Sequence, residues 1–307
     1  MTEDKHPLLR TRDCGPEEMR ALAGSGRLYA ILDACNVALA PKKVMELGEQ
    51  RGISLYRGTA EEEFWDVAPY LLQVDSEVLD WLKTSSEKDG WGIFVASPSG
   101  LESLRQHFRH FLRVHSPKGK IWLFRFYDPR VLKLFLPAST GEELRTFYGP
   151  VVALGIASAK IEKVTFYQEA REKKRDPNYS FMFRMSQQHV EALDTQAELA
   201  FAEEVAEFLQ TMHSEFVRDL SPEELKRRIL FGLAKAKRYG FKRQSSLAGF
   251  VAIMFRISPR FDEHPSIQKV LIDSTVPPDL RISELWSRTT DSDWDEAVAS
   301  SQKGAWE

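Results

Sequence analysis

Short apolar runs alternate with amphipathic segments over the first half of the chain. Runs rich in β-branched or aromatic residues, bounded by Gly, Pro, Asp or Ser, predict strands at 28–34, 53–58, 68–74, 90–97 and 120–127. Between them, apolar residues at spacings of three and four predict helices at 16–24, 41–51, 76–84, 99–113 and 129–136. This alternation favours helices packed on a sheet.

The second half has a helical pattern. Residues 160–170 and 179–185 could form a short hairpin or ribbon, and one apolar stripe then runs through 186–217. Ser221, Pro222 and Glu224 predict a helix start with a capping box, and Gly240 suits its end. Further helices are expected at 244–256, 265–273 and 281–288.

These patterns predict an α+β protein with two lobes. We expect a mixed α/β lobe with a central sheet over 1–170, an all-helical lobe over 180–290, and an acidic, flexible tail over 291–307. The seam is placed in the charge-rich, Pro-containing stretch 171–179.

Composition narrows the class of protein. The formal net charge is −3 over 307 residues, so no global field favours nucleic acid or membrane, and neither is expected as a partner. Cys14 and Cys35 are too few for a disulfide framework. With no secretory signal and no long apolar run, we expect a soluble protein of the cytoplasm.

Charge is segregated along the helical half. Residues 186–217 contain no Lys or Arg, whereas 226–243 is strongly basic, with Arg227 and Arg228 near its start. The two segments could be antiparallel helices with facing or solvated charges. Alternatively, the basic helix at 226–243 could dock an acidic protein or, less favourably, nucleic acid.

No catalytic, cofactor-binding or metal-binding constellation stands out. His107 and His110 lie three apart on a predicted helix, but arginines at a four-residue step surround them and no carboxylate or Cys partner accompanies them. The glycines at 24–26 precede a strand, whereas a phosphate-binding loop follows one. We therefore expect no enzyme and no cofactor.

The stretch WLFRFYDPRVLKLFLP at 122–137 is the most distinctive part of the chain. As a strand, it would place Arg125 and Tyr127 on one face, opposite Phe124 and Phe126. Asp128 followed by Pro129 predicts a helix start, and Arg125 or Arg130 could pair with Asp128 or with Asp33. A structural joint is the favoured interpretation. A partner-contacting surface, or an unrecognised enzyme site around Arg125, Tyr127 and Asp128, stays open.

These residues carry a family resemblance. The segments LYAILDA, LYRGTAEEEFWDVAPYLLQVD, GWGIFVAS, LRQHFRHFLRV and WLFRFYDPRVLKLFLP resemble, in this order, those of the type VI secretion effector adaptors. The second half is similar to the helical region that often follows this domain. The loop LDACNVALAPKK departs from the family pattern, in which a more polar loop is common.

The resemblance implies a non-enzymatic adaptor or chaperone. Such proteins bind a cognate toxic effector in the cytoplasm and help load it onto the spike protein of the secretion apparatus. A groove of aromatic and aliphatic side chains with a polar rim would suit that task. The candidate partner-binding residues are Phe64, Trp65, Arg125, Tyr127, Asp128, Arg130, Arg227 and Arg228.

Overall fold

The structure is a computed structural model that describes residues 7–85, 90–170, 182–299 and Trp306. The chain divides into two compact units, Met1–Leu193 and Asp194–Glu307. The first unit is built around a sheet and the second is helical, so the α+β class is confirmed.

The first unit contains nine strands among its described residues. They are β1 (Leu9–Cys14), β2 (Leu28–Asp33), β3 (Gly52–Ser54), β4 (Pro69–Gln73), β5 (Gly92–Ala96), β6 (Arg113–His115), β7 (Ile121–Leu123), β8 (Ala153–Ala157) and β9 (Val164–Glu169). Seven form one antiparallel sheet in the order β1-β9-β8-β5-β2-β4-β3, and β6 pairs with β7 in a separate ribbon.

Helices cover both faces of the large sheet. The helices of the first unit are α1 (Pro16–Gly24), α2 (Ala40–Leu47), α3 (Thr59–Glu63), α4 (Ser76–Ser85), α5 (Leu101–Arg109), α6 (Pro129–Ala138) and α7 (Gly141–Tyr148). One face packs on α1, α2 and α4, and the other packs on α5, α6 and α7. The central strand β2 is buried along its whole length because both of its faces are covered.

The second unit is a helical bundle with its own core. Helix α8 (Gln187–Met212) begins in the first unit and continues into the second. The helices that follow are α9 (Ser214–Val217), α10 (Pro222–Arg238), α11 (Gln244–Arg256), α12 (Pro265–Leu271), α13 (Arg281–Arg288) and α14 (Asp291–Ala299). The capping hydrogen bond from Glu224 N–H to Ser221 Oγ, 3.2 Å long, confirms the predicted start of α10.

Several predicted elements differ from the structure. The predicted hairpin of 160–170 with 179–185 is wrong, because β9 is paired on both sides, with β1 and with β8. The predicted helix 99–113 ends at Arg109, and 186–217 is interrupted at His213. Strands β1, β6 and β8 and helix α7 were not expected from the pattern.

The boundary between the two units lies within a helix. The seam at 171–179 lies outside the described residues, and the division at Leu193 falls inside α8 rather than in a loop. Within the tail predicted over 291–307, Asp291–Ala299 form α14, because Trp294 and Ala297 are buried in the core of the second unit; residues 300–305 and 307 lie outside the described residues. Among the described helices, none is long and apolar enough to span a bilayer.

Candidate protein-binding site

A short helix and the loop after it hold two aromatic side chains in solvent. Helix α3 buries none of its residues, and Phe64 and Trp65, which follow it, are 50% and 55% exposed. The Tyr70 hydroxyl donates a 2.6 Å hydrogen bond to the Trp65 carbonyl, which ties this loop to β4. Exposed aromatic side chains on an anchored loop are typical of a binding surface.

Phe64 lines a groove on one side of α3, here called the arginine groove. Its volume is about 460 Å³. Its apolar lining comes from Leu55, Tyr56, Ala60, Phe64, Val67, Leu112 and Leu123, and its cations are Arg57, Arg109 and Arg113. No carboxylate lies among the described residues that line it. The groove therefore combines apolar surface with positive charge.

Trp65 lines a second groove, here called the acidic groove. It measures about 640 Å³, and Met45, 80% exposed, lies on its wall. Glu49, Glu61 and Glu102 line it together with Arg105, which pairs with Glu61 at 3.3 Å. Its charge is thus opposite in sign to that of the arginine groove.

A buried carboxylate marks the end of β2. Asp33 accepts hydrogen bonds from the Cys35 N–H at 3.1 Å and the Asn36 Nδ2 at 3.2 Å, and it forms an ion pair with Arg125. The Asp33 side chain is 1% exposed and that of Arg125 is 40% exposed. Because a buried carboxylate needs compensating donors, this pair ties the turn after β2 to residue 125.

The strand predicted over 120–127 ends at Leu123. Residues 124–128 form a turn closed by a 3.0 Å hydrogen bond from the Asp128 N–H to the Arg125 carbonyl. Tyr127 is therefore buried together with Phe126, and the predicted alternation of Arg125 and Tyr127 against the phenylalanines is wrong. The turn arises because both aromatic rings enter the same core cluster.

Asp128 begins α6 as predicted. Its side chain accepts the Arg130 N–H at 2.9 Å, and Pro129 is the first helical residue. The Arg130 guanidinium also pairs with the same carboxylate, with Nη2 to Oδ2 at 2.7 Å. The N-cap and two of the anticipated ion pairs, Arg130–Asp128 and Arg125–Asp33, are confirmed.

The Asp33–Arg125 pair and Cys35 lie beside the arginine groove. Cys35 Sγ lies 3.9 Å from the carbonyl oxygen of Val67, a groove residue. Burial raises the pKa of Tyr56 and, more strongly, that of Tyr127, and the charges of Asp33 and Arg125 act on both. The fold thus brings Phe64 and the turn at 124–128 into one region, in which the phenols of Tyr56 and Tyr127 are neutral.

Arg227 and Arg228 belong to the second unit. Both bind Glu224 on their own helix, at 2.8 and 2.6 Å, and lower the pKa of that carboxyl to about 2. The Arg228 guanidinium stacks 5.1 Å from the ring centroid of Trp306. These contacts of the two arginines are therefore all with residues of the second unit.

The segregated charges face each other in part. Lys226 on α10 contacts Glu203 on α8 at 2.9 Å, and Lys237 contacts Glu198 at the same distance. Lys235 pairs with the buried Asp262 at 2.6 Å. Much of the basic character of 226–243 is thus compensated within the unit.

A buried network that sequence reasoning missed joins Ser139, Ser186 and His189. Ser139 Oγ lies 2.8 Å from His189 Nε2, an arrangement that could be mistaken for a nucleophile with its base. However, the Ser186 N–H donates to Nδ1 at 3.1 Å, and the Ser139 hydroxyl donates to the Phe135 carbonyl at 2.7 Å. Nε2 therefore carries the proton, which is the reverse of a base-activated serine.

His107, one of the two histidines that lie three apart in the sequence, is also buried. Its Nε2–H donates to the Phe147 carbonyl at 2.8 Å, and burial lowers its pKa to about 4. Across the described ranges, no three His, Cys, Asp or Glu side chains converge as a metal site.

Comparison with known proteins gives one match. A family model described as a domain of unknown function, DUF4123, matches residues 28–146. The matched segment includes α3, both grooves and the turn at 124–128. No curated protein and no solved structure matches the chain.

Proposed function

We propose that this protein is a non-enzymatic adaptor that binds a cognate toxic effector in the cytoplasm. It would help load that effector onto the spike protein of a type VI secretion system. The observation that carries the proposal is the exposed pair Phe64 and Trp65, each of which lines one of two grooves of opposite charge. The match to the DUF4123 domain over the same region, together with the family resemblance, supports it.

The physical argument is that partner binding needs exposed apolar anchors on a fixed frame. Phe64 and Trp65 contribute to no core cluster, yet the Tyr70 hydrogen bond holds their loop in place. Burying such aromatic residues against a partner typically dominates the free energy of binding. Opposite charges in the two grooves would orient the bound segment.

The alternatives gain less support. Tyr127 and Asp128 fill a core cluster and cap a helix, and Arg125 compensates Asp33. These contacts are those of a structural joint. The cations of 226–243 are paired in large part with carboxylates of the same unit, which weakens the case for nucleic acid.

The test is affinity for the cognate effector, which we expect a neighbouring gene to encode. Phe64→Ala and Trp65→Ala should each weaken binding tenfold or more, because each removes an anchor, while the free energy of unfolding changes by less than about 0.5 kcal/mol. Pull-down from a two-gene expression strain and titration of the purified proteins measure the two effects.

Ile272→Ala is the matched control, because Ile272 is 61% exposed but lies in the helical unit. It should leave the affinity unchanged. An effector that is stable, delivered and unbound in the presence of the protein would refute the proposed function.

A further inference from the structure

Among the described residues, one edge of the ribbon β6–β7 has no pairing strand. The Phe124 N–H donates to the Leu112 carbonyl, and the Ser116 N–H donates to the Lys120 carbonyl. Together with the register, these bonds show which residues of β6 and β7 direct their N–H and C=O groups toward the partner strand. By alternation, the N–H and C=O groups of Ile121 and Leu123 point away from β6. In the described part of the chain, nothing accepts from or donates to them.

The opposite edge of the ribbon is occupied. The His115 N–H donates to the Phe183 carbonyl and the Met185 N–H donates to the His115 carbonyl, both at 2.8 Å. The sheet thus already extends beyond β6 and stops only at β7. Its free edge is the position where a further strand would continue it.

The side chains of β7 are exposed as well as its edge. Ile121, Trp122 and Leu123 are 50%, 39% and 57% exposed, so three successive apolar side chains face solvent. Free sheet edges are commonly protected by charged side chains, and β7 itself carries none. An apolar strand with an open backbone edge matches the surface used in strand addition.

The unpaired edge of β7 lies next to the arginine groove, because Leu123 belongs to both. Leu123 pairs with Arg113 across the ribbon, and both line that groove with Phe64 and Val67. A strand added to β7 would direct alternate side chains to the same face, toward these residues. The fold therefore offers backbone partners and a side-chain pocket side by side.

The charge of the groove decides what kind of segment fits. Arg57 already contacts Glu102 at 3.1 Å and Arg109 donates to the Leu55 carbonyl at 3.0 Å, whereas Arg113 is exposed with no ion pair among the described residues. Lys118 and Lys120 precede β7. The positive charge of Arg109, Arg113 and the two lysines favours carboxylates on the incoming segment. A second copy of this edge would bring the same cations and be disfavoured.

We propose that the outward edge of β7 binds an extended segment of a partner protein as an added strand, with alternating apolar and acidic side chains that enter the arginine groove. This deepens the proposed function, on which the identity of the partner as an effector rests. The added strand would hydrogen-bond to the N–H and C=O of Ile121 and Leu123. Its apolar side chains would pack on Leu123 and Phe64.

The probe is a fluorescein-labelled octapeptide of alternating Glu and Val, titrated with the full chain and followed by anisotropy. We expect saturable binding. N-methylation of the amides on one edge of the peptide should weaken binding about tenfold, because it removes backbone hydrogen bonds to β7. A Lys–Val peptide of the same length should bind at least tenfold more weakly.

The variant Ile121→Pro removes one outward N–H and leaves the internal ladder intact, because proline is tolerated at the first residue of a strand. It should weaken peptide binding about tenfold, whereas Ile121→Thr, which keeps the N–H, should change it by less than about threefold. Circular dichroism and the unfolding temperature report whether Ile121→Pro folds. If it does not, the N-methylated peptide still decides.

Four outcomes would overturn the proposal. They are no binding at about 1 mM protein, equal binding of the N-methylated peptide, equal or tighter binding of the Lys–Val peptide, and a dimer of the protein that Ile121→Pro dissociates. The peptide assay contains neither effector nor spike protein. An effector that binds while the peptide does not would leave the proposed function standing and refute only the added strand.

Discussion

At the scale of single residues, the two arginines that flank Asp128 pair with different carboxylates. Arg125 compensates the buried Asp33, whereas Arg130 pairs with the N-cap carboxylate from a side chain that is 68% exposed. The Asp128 side chain is itself only 7% exposed, but the exposed guanidinium of Arg130 leaves this pair partly screened by solvent. We therefore expect the N-cap hydrogen bond to contribute more to stability than the pair with Arg130.

Substitution of Asp128 separates these roles. Asp128→Ala removes the side chain that accepts the Arg130 N–H and should lower the free energy of unfolding by about 1 kcal/mol. Asp128→Asn keeps the cap and loses only the charge, so its cost should be about half of that or less. Urea unfolding of the three proteins measures both. Equal losses for Ala and Asn would mean that the ion pair, not the cap, stabilises this joint.

At the scale of elements, the sequence pattern located those strands whose apolar character is local. Strand β2 was predicted at nearly its observed bounds because all six of its residues are buried. Strand β1 has four consecutive exposed polar residues and buries only Cys14, and β6 is three residues long, so neither has a local signature. The strand pattern extends over 124–128 because the aromatic run there satisfies it, whereas burial of these aromatic rings in the core bends the chain into a turn.

The pairing of β2 with β5 depends on a close backbone approach at Gly92. A Cβ added there would lie 2.1 Å from the Ile31 carbonyl oxygen, at a φ of +153°. Gly92→Ala should therefore lower the free energy of unfolding by about 3 kcal/mol, from strain and overpacking together. Chemical denaturation measures the change.

Gly24→Ala is the comparison for this substitution, because no atom lies within 4 Å of its Cβ position and it ends helix α1. It should leave stability unchanged or raise it by up to about 1 kcal/mol. If both variants lost stability equally, the close approach at Gly92 would not be the cause.

At the scale of the whole molecule, buried histidines make the folded state sensitive to acid. His107 and His189 are both fully buried, and burial lowers the pKa of each. His107 has a folded pKa of about 4 against 6.5 for the ordinary side chain, so between these values the unfolded chain binds the extra proton. Stability is therefore lost as the pH falls from about 6.5 toward 4.

The expected loss from His107 between pH 7 and pH 5 is about 2 kcal/mol. His107→Gln keeps a donor for the Phe147 carbonyl but cannot titrate, so its stability should depend less on pH over this range. Urea unfolding at several pH values measures how the free energy of unfolding of each protein depends on pH. Measurements above pH 5 avoid the titration of the carboxyl groups. Parallel slopes for the two proteins would show that His107 does not bind the proton.

The candidate site was only partly visible in the sequence. In the sequence, Phe64 and Trp65 stand out because they follow an acidic turn, but the sequence does not show whether an aromatic side chain is buried. Exposure and the two grooves depend on how α3 and the loop after it lie among elements that are distant in sequence. Ile121 and Leu123 were assigned to a strand, yet nothing local indicated that its edge would be unpaired.

The sequence by itself determined the α+β class, the buried central strands and the caps at Asp128 and Ser221. Each of these follows from interactions between residues close in the chain, which a pattern of apolar and polar positions records. Only the tertiary structure decided the strand order, the Asp33–Arg125 pair, the burial of His107 and the free edge of β7. These depend on contacts between residues far apart in sequence, and the free energy that selects them comes from packing the whole core.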